Sequence, residues 1–163
     1  MRLTSIRRGL LVLLAVPALS IAAALPAQAA QDFDLSTSRG GTFSGYAVGN
    51  GSVTFHNSSD YSVRATDVAD RCGDDPNGDG AGAYLFMIAR FMDGNTFTAL
   101  IYKDTSGCSD GSADSGIQRF NFNKNVREVR LHLRECDDAG GVLQCSGNSL
   151  DNDVSNWKDN PHT

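Results

Sequence analysis

Asp75-Pro76-Asn77-Gly78-Asp79-Gly80 is the segment whose residue types and spacing come closest to a defined chemistry. It fits the opening of a calcium loop, D-x-[DN]-x-[DN]-G, in which oxygens at positions one, three and five converge on a cation and the glycine at six makes the turn. The carbonyl of Ala81, at position seven, would add another oxygen. Position twelve, where a bidentate Glu closes an EF-hand, is Phe86, and no amphipathic helix flanks the loop. A calcium ion held here therefore needs a carboxylate from elsewhere, and Asp70 and Asp74 stand nearest. An Asp/Gly turn whose side chains cap their own backbone uses the same residues without a metal. Composition leaves both readings open, because 17 of the 19 acidic residues are Asp, a side chain suited to coordination and to turns alike. Asp151, Asp153 and Asp159 form a second acidic group without a glycine turn, which reads as solubilising.

The local reversal of sign is Arg127, Arg130, His132 and Arg134. On a strand, Arg130, His132 and Arg134 share a face and could meet a carboxylate, a sulfate or an acidic polysaccharide. The bland alternative is a solvated face whose charges discourage edge pairing. Tyr46, Tyr61, Tyr84, Tyr102 and Trp157 could offer flat surfaces to sugar rings, though each taken singly reads as strand core or rim. For catalysis the inventory is thin, since G-x-S-x-G, H-E-x-x-H and nucleophilic-Cys signatures are absent. Glu128 and Glu135, seven apart on one strand, face opposite sides and do not make an acid/base pair.

The elements that must position these groups are strands. Short runs of β-branched and aromatic residues alternate in period two between Gly, Asn, Asp and Ser clusters. Thr42 to Val48, Ser52 to His56 and Tyr61 to Asp70 read as a meander turning at Gly49-Asn50-Gly51 and Asn57–Asp60. Ala83 to Met92 and Thr96 to Lys103 read as a hairpin about Asp93-Gly94-Asn95, and apolarity on both faces makes them central strands. Ile117 to Phe122 and Val126 to Cys136 follow, the latter with Val129, Leu131 and Leu133 on its buried face. No helix of three turns and no internal repeat is present. These runs predict one all-β domain, an antiparallel β-sandwich or flattened barrel over residues 31–145, followed by a polar tail, 146–163, loosely ordered apart from Trp157.

Arg2, Arg7 and Arg8, the apolar run from Leu10 to Leu25 and Ala27-Gln28-Ala29 predict a secretory signal peptide over residues 1–30, cleaved near Ala29 or Ala30. Its removal leaves a secreted protein with no membrane segment. The leader holds three of the 14 basic residues and none of the 19 acidic ones, so the remainder carries about −8, the wrong sign for a nucleic-acid partner. In an exported chain the four cysteines read as a disulfide framework with three possible pairings. Cys136 with Cys145, across the turn Asp137–Gly141, and Cys72 with Cys108, at two strand ends, are the preferred pairs. A structural zinc site is disfavoured because no C-x-x-C pair occurs.

The alanine-rich leader, Asp70-Arg71-Cys72 followed by Asp and Gly, and the strand Val129–Cys136 closed by Gln144-Cys145-Ser146 resemble small secreted proteins of actinobacteria such as streptomycetes. The resemblance implies export, β-structure and two disulfides, and brings no catalytic residue. The expectation is a secreted, non-enzymatic binding or structural protein whose partner is an extracellular protein or polysaccharide, with a structural calcium at the Asp75–Gly80 loop. The competing reading is a small extracellular enzyme or an enzyme inhibitor, for which the loop Ser106–Gly116 beside Cys108 is the candidate segment.

Overall fold

The computed structural model describes residues 30–43, 45–71, 80–106 and 114–163. The leader up to residue 29, Cys72 and Cys108 lie outside them, as do Asp74, Asp75, Asn77 and Asp79. The chain folds as two packed antiparallel sheets, as the alternating pattern predicts. The first sheet contains β1 (Gln31–Ser36), β2 (Tyr46–Phe55), β3 (Asp60–Arg71) and β6 (Gly116–Asn121), in the order β1-β2-β3-β6. The second contains β4 (Gly82–Phe91), β5 (Thr96–Asp104) and β7 (Val126–Asp137), with β4 between the other two. Against the far edge of β7 run β8 (Gln144–Cys145), β9 (Asn152–Val154) and β10 (Lys158–Asp159).

Alternation decides which side chains fill the space between the sheets. Val53, Phe55, Tyr61, Val63 and Ala65 point inward from the first sheet to meet Leu85, Met87, Ala89, Val129, Leu131 and Leu133 from the second. Tyr61 is wholly buried and its hydroxyl donates to Met87 Sδ at 3.1 Å, while burial pushes its phenol pKa up. At one seam Phe122 packs edge-on against Phe91 and Phe97, at 5.1 and 5.2 Å between centroids. Buried Asp60, at the start of β3, accepts from Arg119 of β6, and that guanidinium holds its carboxyl below the usual range.

Four expectations from the sequence change. Gly49-Asn50-Gly51 is not a turn, because β2 runs through it as one strand with a register shift between Asn50 and Gly51. A type I′ turn needs positive φ at both central residues, and none of these three has it. A Cβ at Gly51 would stand 2.0 Å from the Arg64 carbonyl oxygen and 2.7 Å from the Phe33 ring, so the glycine serves close approach. Gln31–Ser36, unread as a strand, is β1, which buries Phe33 and Leu35. Of the hairpin, β4 is central but β5 is an edge strand. The tail is not loose, since it forms the ladder β8 to β10 along β7.

Cys136 and Cys145 are directly opposite in the β7–β8 ladder and are disulfide-bonded. The tail is then pinned at several further points, among them two buried side chains. Asn160 donates its amide to Val126 O at 2.9 Å and to Asn57 O at 3.1 Å. Asp151, with no exposed surface, accepts from the Thr42 N–H at 2.7 Å. Its other oxygen lies where a Cβ of Gly41 would be, at 1.6 Å, so only glycine lets the tail seat there. Gly41→Ala should therefore lower the unfolding free energy by about 1–3 kcal/mol. Gly147→Ala, whose Cβ meets open space, should change it by no more than about 0.5 kcal/mol in the same denaturant titration.

Candidate functional site

The site follows from the parity of β7. Odd residues Val129, Leu131 and Leu133 enter the core, so Glu128, Arg130, His132 and Arg134 emerge on the outer face of the second sheet. Registers extend each across neighbouring strands. Leu100 of β5, Phe86 of β4, His132 of β7 and Val154 of β9 make one row, with Leu100 and Val154 exposed at its two ends. Ile88 lies opposite Arg130 on one side of that row and Tyr84 opposite Arg134 on the other. An apolar row is thus flanked by two guanidinium groups on a half-buried face.

Trp157, between β9 and β10, completes the face. The Arg90 guanidinium carbon lies 4.1 Å from its ring centroid and that of Arg130 4.6 Å, both within cation–π range. Arg90 also donates to buried Glu128 at 2.7 Å. Arg134 donates to Asn152 Oδ1 at 2.9 Å and to the Ser146 carbonyl at 3.0 Å, both neutral acceptors. Neither Arg130 nor Arg134 is ion-paired with a carboxylate of the described residues. The Nε of Arg130 is buried without a hydrogen-bond partner. Two uncompensated cations therefore share one face of an acidic chain.

The structure brings together the sequence-derived trio Arg130, His132 and Arg134. Trp157, one of the aromatic candidates for a sugar surface, joins them, whereas Arg90, which belongs with them, escaped the sequence reading. Arg90 shares outward parity with Phe86 and Ile88, a signal masked by the continuous apolarity of β4. Glu128 and Glu135 face opposite sides, as their odd spacing requires. Glu135 is buried on the core side, where the Thr37 hydroxyl donates to it and in turn accepts from Ala47 N at 2.6 Å.

Of the calcium-loop residues, Asp70, Gly80 and Ala81 are described. Asp70 is buried, and its N–H donates to Asp104 Oδ2 at 3.1 Å. Asp104, also buried, accepts from Ser106 through its other oxygen, and its carbonyl packs on Gly82. Two buried carboxylates thus stand near the end of β3 and at the end of β5, the latter beside the start of β4. No cluster of three or more His, Cys, Asp or Glu suited to a metal occurs among the described residues. Of the candidate inhibitor loop, residues 107–113 lie outside them. Among the described residues, shallow hollows of about 280 Å³ at Phe91, Met92 and Lys124 and of about 350 Å³ at Asp32, Asp34 and Asn50 lie elsewhere. Neither gathers the unpaired guanidinium groups.

Burial first, and then the adjacent Arg134, hold the His132 imidazole below its ordinary pKa of 6.5. The unfolded chain accordingly takes up that proton more readily. The stability contributed by neutral His132 is complete above the unfolded value and is lost as pH falls through the lower folded value. Unfolding free energy should thus decline on acidification below about 6.5, and His132→Gln should flatten that part of the pH profile measured by denaturant unfolding.

No family model, curated protein or solved structure matches the chain at a significant level.

Proposed function

We propose that the protein is a secreted, non-enzymatic binding protein whose outer β7 face holds an anionic extracellular polysaccharide. The observation that carries this reading is the pair of guanidinium groups on one face, Arg130 against the Trp157 ring and Arg134 on neutral oxygens, both without carboxylate partners among the described residues. Guanidinium forks match carboxylate and sulfate oxygens and make hydrogen bonds about twice as strong as neutral ones. Arg130 and Arg134 stand four residues apart on the same face of β7, about 13 Å along the strand. That spacing on an open surface suits a polymer with regularly spaced anions better than a small molecule needing enclosure. The row Leu100, Phe86 and Val154, together with the Trp157 ring, offers apolar surface to the C–H faces of sugars.

Trp157 is the sole tryptophan, so its emission reports on this face alone. Titration with a polyuronate and with a sulfated polysaccharide should change that emission, more weakly at high salt, whereas neutral dextran should not. Arg130→Gln should weaken binding about tenfold or more, the loss of a charge-assisted contact. The proposal fails if neither polyanion binds at low salt.

Calcium at the 75–80 loop is the proposed structural cofactor, supported by buried Asp70 and Asp104 at the loop's base. Calcium at a hundredfold excess over its Kd should stabilise the oxidised protein by about 2.7 kcal/mol. Thermal melts with calcium and with chelator would show this, and Asp75→Ala with Asp79→Ala should abolish the difference. Identical melts in the unsubstituted protein would reduce the loop to a turn.

A further inference from the structure

The β4–β5 hairpin extends beyond the cover of the opposing sheet. Thr96, Phe97, Thr98 and Leu100 are all exposed, and Met92, Phe97 and Leu100 are 59%, 40% and 43% accessible. Among the described residues no strand lies along this edge, because β5 pairs with β4 alone. The later part of β5 is treated differently: the Ile101 carbonyl is capped by Gln118 of β6. Phe91 N donates to Asn95 O at 2.9 Å, which sets the phase of the ladder. By antiparallel alternation Phe97 and Ala99 spend their backbone groups on β4, while those of Thr96, Thr98 and Leu100 face the open edge.

From Asn95 to Tyr102 no residue is charged, on a chain whose net charge is −5. Natural edge strands usually carry a charge, a proline or a bulge that blocks further pairing. None interrupts Thr96–Leu100, since the one irregularity in the β4–β5 ladder lies between Leu85 and Phe86. The segment is also self-complementary. A two-fold axis at Thr98 puts Thr98 opposite its copy, Thr96 opposite Leu100, and large Phe97 opposite small Ala99. About six main-chain hydrogen bonds close in that register.

We propose that a second copy of this chain adds to the open edge, β5 against β5, forming an isologous dimer with one continuous sheet. The uncharged edge removes the repulsion that the acidic chain otherwise presents to itself, and the Phe97–Ala99 fit selects the register. A strand pair with few flanking contacts buries less than a standard interface, so the dimer is weak and concentration-dependent. An axis perpendicular to the sheet leaves both outer faces on the same side. If the polyanion reading above also holds, each dimer carries two copies of the Arg130/Arg134 face with the avidity of a bivalent binder.

The test is sedimentation equilibrium of the oxidised protein from micromolar to millimolar concentration, with Thr98→Pro and Leu100→Lys alongside. The unsubstituted protein should shift from monomer toward dimer as concentration rises. Both variants should stay monomeric with melting temperatures close to the parent's. Leu100→Lys alters an exposed side chain and decides the matter even if the proline variant folds poorly. A monomer at every concentration, or a dimer surviving Leu100→Lys, overturns the proposal. Trp157 emission with polyanion at micromolar protein is read separately in Thr98→Pro, which leaves Leu100 and the rest of the apolar row in place: a response retained there keeps the binding face independent of the dimer.

Discussion

The far edge of β7 is the constraint to which much of the second sheet answers. β4 satisfies one side of this long strand, and its row of backbone donors and acceptors on the other side must also find partners. The chain meets this demand in pieces, with β8, β9 and β10 laid antiparallel in turn along the same edge. A polar, glycine-containing tail cannot make one long strand of good propensity. It makes three short ladders, each held by a local device: the disulfide at β8, Asp151 before β9 and the Asn160 amide after β10. The same path carries Trp157 onto the outer face, so the composition of the candidate site is a by-product of closing an edge.

Charge placement on β7 follows from that arrangement. Glu135 projects to the core side and Glu128 to the outer side, and each is buried. Burial of a carboxylate is tolerable only with good hydrogen bonds, and the partners come from different parts of the chain: Thr37 for Glu135, Arg90 for Glu128. Because Arg90 is committed to Glu128, it contributes little free charge to the face. Arg130 and Arg134 are stabilised by a ring and by neutral oxygens instead, which leaves their charge available.

Features set within a few residues were legible in the sequence. The Asp93-Gly94-Asn95 turn was readable because Gly94 supplies the left-handed φ of 84° that it needs, and the inward set Val129, Leu131 and Leu133 because strand parity needs no partner to define it. What escaped depends on distant chain. Gly51 looked like a turn residue because the Phe33 ring and Arg64 backbone that crowd it come from other strands. Glu135 meets Thr37 across 98 positions, and nothing in either neighbourhood announces the pair. The tail looked unstructured because its stabilisation lies in the edge it completes, not in its own apolar content. Half of the basic face could be read from alternation on β7 and Trp157 from its type, while Arg90, and its meeting with Trp157, required the fold.

The direction in which the tail lies has a mechanical consequence. Its last ladder pairs Lys158 and Asp159 with the beginning of β7, and its first ends in the covalent link at Cys145. Tension applied at Thr163 therefore peels β10 and then β9 from β7 one rung at a time, as a zipper opens. It then reaches a bond that cannot be unzipped. The contacts that tie this segment to β1 and β4, from Gln31 to the Asp159 carbonyl, from the Ser36 N–H to Asp153 and from Arg90 to the Trp157 ring, break singly along the way, so a load at Thr163 spends itself in a short extensible segment before the β4–β7 ladder is strained.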